Sequence, residues 1–227
     1  MNYYFISYGL TIIAVVITLL AQGFISSSYN KYSKIRNKKG ITGQEAARYI
    51  LDQNGLKSID VVEVGGHLTD HYDPKNKVVR LSSNVYRNNT IASVAVACHE
   101  CGHAIQDKDG YVFMRFRSSL VPIVNFSSYA GYIAITLGIL ASSFNLIWIG
   151  ILLEVAILLF QIVTLPVEIN ASKRALKQIE TEKILDQNEL KQGKTMLISA
   201  ALTYVASVAS TLLQILRLIL LFGRRED

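Results

Sequence analysis

Charge and cysteine are both scarce in this sequence. Asp, Glu, Lys and Arg make up 18% of its 227 residues, against roughly 25% in an ordinary soluble domain. The deficit is uneven, because long stretches hold almost no charge at all. Cysteine appears twice, at Cys98 and Cys101, and two thiols three positions apart cannot staple a secreted fold together. A disulfide framework is therefore excluded. Internal repeats and low-complexity tracts are absent as well. The net charge of +6 raises nucleic acid as a partner. The basic residues, however, sit beside apolar segments, which reads as membrane-flanking charge and not as a nucleic-acid surface.

The sequence does contain apolar runs of membrane length. Four of them approach the ~20 residues needed to cross a bilayer: about Tyr3 to Ile25, Leu120 to Ala141, Phe144 to Leu165 and Met196 to Phe222. The first lacks a basic leader and is too long in its apolar core for a signal peptide, so an uncleaved anchor is expected. Only Ser142 and Ser143 separate the second and third, which makes a tight helical hairpin.

Lys31, Lys34, Arg36, Lys38 and Lys39 follow the first run, and Arg115 and Arg117 precede the second. The positive-inside rule puts this polar region in the cytoplasm and the N-terminus outside. Lys173, Arg174 and Lys177, after the hairpin, agree with that assignment. Arg224 and Arg225 disagree, since a full fourth span carries them to the other side. Five segments follow: an N-terminal transmembrane helix at 1–25, a cytoplasmic catalytic region at 26–119, a transmembrane hairpin at 120–165, a cytoplasmic helix at 166–195, and a last span with its tail at 196–227.

Within the polar region Thr42 to Asp52 reads as a short helix, with Thr42 as cap and Glu45 three residues on. Asp60 to Val64 and Val78 to Leu81 read as strands, with a turn at Asp73-Pro74-Lys75-Asn76 between them. Ile91 to about Gln106 is helix-compatible.

The end of that helix, ACHECGHAIQ, carries the chemistry. Covalent haem attachment requires histidine directly after the second cysteine, where Gly102 stands. A redox dithiol requires the cysteines at a helix start, but Cys98 follows about two turns of helix. A zinc knuckle requires a second ligand pair, and no other cysteine exists. The remaining reading is H-E-x-x-H. His99 and His103, four residues apart, share one helix face and can reach one zinc ion. Glu100 is displaced to the side, where it can touch a water on the metal without ligating. Zinc lowers the pKa of such a water toward ~7, and Glu100 takes its proton as it attacks a peptide carbonyl. Val94, Cys98, Cys101 and Ile105 fall on another stripe, as small buried hydrophobes. Gly102 leaves room for close approach on the metal side.

With these residues in view, the chain resembles the YugP-type bacterial membrane zinc metallopeptidases, within the zincin H-E-x-x-H superfamily. LTDHYDP, VVRLS and VY upstream, HECGHAIQ itself, and LPVEINAS with Arg174 downstream carry the resemblance over nearly the whole chain. It implies one Zn²⁺ per chain, protein or peptide substrates, and a third metal ligand from a glutamate on a downstream helix.

The candidates for that third ligand are His67, His71 and the acidic residues after His103. Glu168 is preferred, because the hairpin returns it to the membrane face that holds the histidines. Some related metalloproteases carry an aspartate shortly after the ligand glutamate, orienting a zinc histidine; here the nearby polar residues are Asn170 and Ser172. Arg174 and His71 are candidates to stabilise an oxyanion. Val79, Arg80 and Leu81 form a candidate edge strand for extended substrate. Glu154, in the middle of the third run, is expected to make a buried polar contact with a neighbouring span. Gln161 and Gln214 are read as polar glue between spans.

The expected fold is mainly α: a polytopic membrane protein of about four transmembrane helices with a small α+β zincin-like catalytic region. The expected activity is that of a zinc endopeptidase in the cell membrane, with its site on the cytoplasmic side. The competing readings are a non-enzymatic membrane scaffold or assembly factor with a structural zinc, and a transporter.

Overall fold

The computed structural model describes residues 3–223, so Arg224 and Arg225 lie outside the described residues. In chain order the elements are α1 (Tyr3–Tyr32), α2 (Gly43–Gln53), β1 (Asp60–Val64), β2 (His71–Asp73), β3 (Val78–Ser82), α3 (Ser83–Arg87), α4 (Ile91–Lys108), α5 (Val112–Leu140), α6 (Phe144–Thr181) and α7 (Gln187–Phe222). The fold is mainly α with one small sheet, as the sequence predicts. The apolar runs lie on longer helices than expected. The polar segment 166–195 is no separate helix: its first half continues α6 and its second half begins α7, with a turn at residues 182–186 between them.

The chain forms two compact units. One comprises Met1–Gln22, Phe116–Leu165 and Leu202–Asp227. It draws on α1, α5, α6 and α7, each long and apolar enough to cross a membrane. Phe5, Leu20, Leu140 and Leu152 are at least two-thirds exposed there. So much apolar surface is unfavourable in water and favourable against lipid tails. The α5–α6 hairpin closes at Ser143, whose N–H donates to Gly138 O at 2.8 Å. The two helices meet at glycine: a Cβ on Gly150 would fall 2.4 Å from Ile135 Cγ1 and 3.1 Å from Gly131 O.

Glu154 lines a cavity of about 400 Å³ in this unit, together with Thr11, Thr18, Ser210, Gln214 and Arg217. Sequence reasoning singled out Glu154 and passed over Arg217 in the fourth run. The Arg217 guanidinium donates to Ser7 Oγ at 3.2 Å and to Gln214 Oε1 at 3.3 Å. Gln214 therefore does join a polar contact, whereas the buried Gln161 Oε1 has no hydrogen-bond partner among the described residues.

The other unit comprises Gly23–Arg115 and Pro166–Ala201. Its first local structure is α2, closed by a capping box: Thr42 Oγ1 accepts from Glu45 N, and the Glu45 carboxylate accepts from Thr42 N. This satisfies two N–H groups that a helix start otherwise leaves open. Ala46, Ala47, Ile50 and Leu51 are buried on one face of α2, in the same core as Val94, Ala97, Cys98 and Cys101 of α4.

The sheet is ordered β1-β3-β2, with β1 parallel and β2 antiparallel to β3. The β2–β3 turn is held by Asp73, whose Oδ1 accepts from Lys75 N and Asn76 N. This order corrects one expectation. Val79, Arg80 and Leu81 lie in the central strand and not at an edge; Val79 and Arg80 are paired on both sides and Leu81 with β1, which leaves no free edge along this stretch for strand addition at Val79 and Arg80. Period-two alternation in the sequence marks a strand without saying what flanks it. The second flank is the three-residue β2, too short to carry a periodic signal.

Candidate metal centre

The histidine-bearing turns of α4 and the stretch of α6 after Pro166 pack so tightly that only glycine fits at their contact. A Cβ on Gly102 would lie 2.4 Å from Ala171 O and 3.0 Å from its carbonyl carbon. The space at Gly102 thus admits the backbone of α6 beside Glu168, the close approach on the metal side that the sequence predicts. Gly102→Ala should force the two helices apart, costing about 1–3 kcal/mol and weakening metal binding. Thermal unfolding in detergent, with and without zinc, measures both effects.

This contact brings three side chains together. His99 Nε2 lies 3.2 Å from Glu168 Oε2, and His103 Nε2 lies 3.5 Å from the same oxygen. The two imidazole centroids are 4.8 Å apart with planes at 86°. One donor atom from each residue falls within 4.8 Å of the others. Zinc–nitrogen and zinc–oxygen bonds of about 2.1 Å at tetrahedral angles separate their donors by about 3.4 Å. The two separations from Glu168 fit that spacing, and two imidazoles with a carboxylate are a donor set that zinc favours. The Glu168 and His103 side chains are the more buried and that of His99 the more open. Burial alone would lower the pKa of His103. The Glu168 carboxylate beside it outweighs this by hydrogen bond and charge, with Glu100 and Gln106 adding to it, and raises the pKa above its ordinary value. The neighbouring carboxylates therefore favour positive charge at His103.

Glu100 stands outside the donor set. It is buried, and its Oε2 accepts from Tyr72 N of β2 at 2.9 Å. The Tyr72 hydroxyl in turn donates to Asp107 Oδ2 at 2.8 Å, at the far end of α4. The short strand missing from the sequence reading is thus what fixes the carboxylate of the motif glutamate.

Behind the donors lies a set of polar contacts. His99 Nδ1 is 3.0 Å from Ser172 Oγ, and His103 Nδ1 is 3.0 Å from Gln106 Oε1. Gln106 Nε2 donates to Val167 O at 2.8 Å and to Asn170 Oδ1 at 3.0 Å. Arg174 Nε donates to Asn170 Oδ1 at 2.7 Å, and the same guanidinium pairs with Asp109. Asn170 and Arg174 therefore reach His103 only through Gln106, and Arg174 is engaged by two partners of its own. Gln106 escaped sequence reasoning because its spacing, three residues past His103, matches any surface position of a helix.

Two further expectations can be located. His71 is exposed on β2 with Nδ1 2.8 Å from Thr69 O, and His67 packs edge-on against Tyr29; neither joins the donor cluster. Cys98 and Cys101 are fully buried, and Cys101 Sγ is 3.6 Å from Ala47 O. Burial pushes both thiols up, which keeps them protonated and unreactive.

Comparison with known proteins supplies the family. The family model described as "Putative neutral zinc metallopeptidase" matches residues 7–223. The chain is 44% identical over 220 residues to a Bacillus subtilis (strain 168) protein named "Putative membrane protease YugP", covering 96% of this chain and 98% of that one. No solved structure matches the chain. With four helices of membrane length and a zinc-compatible donor cluster, this membrane protein belongs to the neutral zinc metallopeptidase family.

Proposed function

We propose that the protein is a zinc-dependent endopeptidase of the cell membrane, with His99, His103 and Glu168 holding one metal ion and Glu100 acting as general base. The observation that carries this reading is the three-donor cluster with Glu100 beside it on the same helix. Three protein donors are the number found at catalytic zinc sites, whereas structural sites take four. That favours an enzyme over a scaffold.

Zinc in this cluster would supply Lewis acidity, lowering the pKa of a water toward ~7 and polarising the scissile carbonyl. The chain's own contribution is positional. Tyr72 N–H holds one carboxylate oxygen of Glu100, which presents the other to the attacking water. Glu100 accepts the proton of that water as the new C–O bond forms. It then returns the proton to the amide nitrogen as the C–N bond breaks. His99 and His103 stay in place through Ser172 and Gln106.

The run of lysines from Lys31 to Lys39, with Arg115, Arg117, Lys173, Arg174 and Lys177, supports a cytoplasmic site in a multi-pass protein. Glu168 follows the third apolar run directly in sequence. This connection supports membrane proteins or their juxtamembrane segments as substrates. The purified protein should cleave an unfolded protein substrate, lose that activity to a chelator, and regain it with added zinc. Zinc-loaded protein that leaves unfolded substrates intact would overturn the proposal.

A further inference from the structure

We infer that Gln106 is the positioning residue of this centre: its side-chain amide fixes His103 in the tautomer that carries hydrogen on Nδ1 and directs the Nε2 lone pair at the metal. The inference rests on the reading of His103 as a ligand and assigns a role to a residue outside the motif.

Gln106 is fully buried, so its amide cannot turn to water. Two of its neighbours are the Val167 carbonyl oxygen, which can only accept, and Asn170 Oδ1. The Asn170 oxygen is identified independently, because Arg174 Nε points at it from 2.7 Å and a guanidinium can only donate. The nitrogen of Gln106 must therefore face these two, and both of its hydrogens are used. Its oxygen is left facing His103 Nδ1 at 3.0 Å, where it can only accept. The imidazole hydrogen is then on Nδ1, and Nε2 points an unshared pair toward Glu168 Oε2 at 3.5 Å. A lone pair and a carboxylate oxygen at that separation repel unless a cation stands between them. The orientation suits a metal ligand and, with no metal bound, a hydrogen shared between Nε2 and Glu168 Oε2.

His99 differs. Its Nδ1 partner is the Ser172 hydroxyl, which can donate or accept, so that contact sets no tautomer. The centre thus has one ligand locked through an amide chain, Asp109 to Arg174 to Asn170 to Gln106 to His103, and one held by an adjustable hydroxyl.

Zinc affinity, measured by competition with a chromophoric chelator on purified full-length protein in detergent, tests the lock without reference to peptide cleavage. Gln106→Leu should weaken zinc binding by roughly 10–100-fold, the usual effect of losing the partner behind a ligating histidine. Asn170→Asp still accepts from both Gln106 and Arg174 and should stay within about three-fold of the parent, because the donor pattern behind His103 is preserved. ¹⁵N spectra of histidine-labelled, zinc-loaded parent protein should place the His103 hydrogen on Nδ1. A hydrogen on Nε2, parent-like affinity in Gln106→Leu, or an equal loss in Asn170→Asp would each overturn the inference. Zinc bound in this manner by a protein that cleaves nothing would instead overturn the proposed activity and leave the inference intact.

Discussion

Glu100→Gln should lower peptide hydrolysis by about 10²–10⁴-fold, the usual range for a general base, while zinc affinity stays near that of the parent. The two halves of this expectation come from different parts of the geometry. Glu100 is not among the donors, so replacing its carboxylate removes no ligand. Glutamine has the same shape, and its amide oxygen still accepts from Tyr72 N–H. The N–H of β2 therefore remains satisfied and the strand stays in place. What the amide cannot do is take a proton. An alanine would be a poorer test, because it leaves that buried N–H without its acceptor, at a cost of about 1–3 kcal/mol, and mixes a folding defect with a catalytic one. Rates on an unfolded substrate, with zinc content measured on the same samples, separate the outcomes. Parent-like cleavage by Glu100→Gln would remove Glu100 from the mechanism, and loss of zinc would make it a ligand.

Glu168→Ala should weaken zinc binding by on the order of 10³-fold, given that a four-ligand site contributes about 10–16 kcal/mol in all, and should abolish hydrolysis with it. Glu168 carries the one negative charge in the donor set, and it approaches both imidazoles from a nearly fully buried position. Its removal leaves two neutral nitrogens without the carboxylate that draws a cation between them. Glu168→Asp keeps the charge but withdraws the oxygen by one methylene, so its affinity should fall between the parent and Ala. Isothermal titration of metal-free protein with zinc gives the three constants directly. An affinity for Glu168→Ala equal to the parent's would return the third position to another residue.

The four membrane helices and the residues of the donor cluster were legible in the chain. Apolar runs of about 20 residues with at most one charge have few stable solutions other than a membrane helix, and the four runs all lie on helices long and apolar enough to cross. The H-E-x-x-H spacing puts two histidines on one helix face by covalent geometry alone, and the cysteines on a buried stripe. These are local properties, so local reading suffices.

Other features depend on which segments meet in space. The strand at Val79, Arg80 and Leu81 is recognisable from its alternation, but its central place depends on β1 and β2 docking on both sides. Gly102 is visibly small, yet its use depends on α6 passing 2.4 Å from where a Cβ would be. Glu168 was preferred from the return of the hairpin alone, but the distance of its oxygen from the two histidines depends on α6 lying against α4.

The sequence by itself determined the helices, their apolar faces and the paired histidines, because these follow from residue chemistry repeated at short spacing. Tertiary structure alone decided where the Glu168 oxygen sits between the histidines, the strand N–H that aims Glu100, and the amide of Gln106 that orients His103. Each of these is a single directional contact of about 3 Å between residues 28 to 69 positions apart, or, for Gln106, an ordinary helix neighbour whose direction is set from 61 and 64 positions away. No periodicity in a chain encodes contacts of that kind.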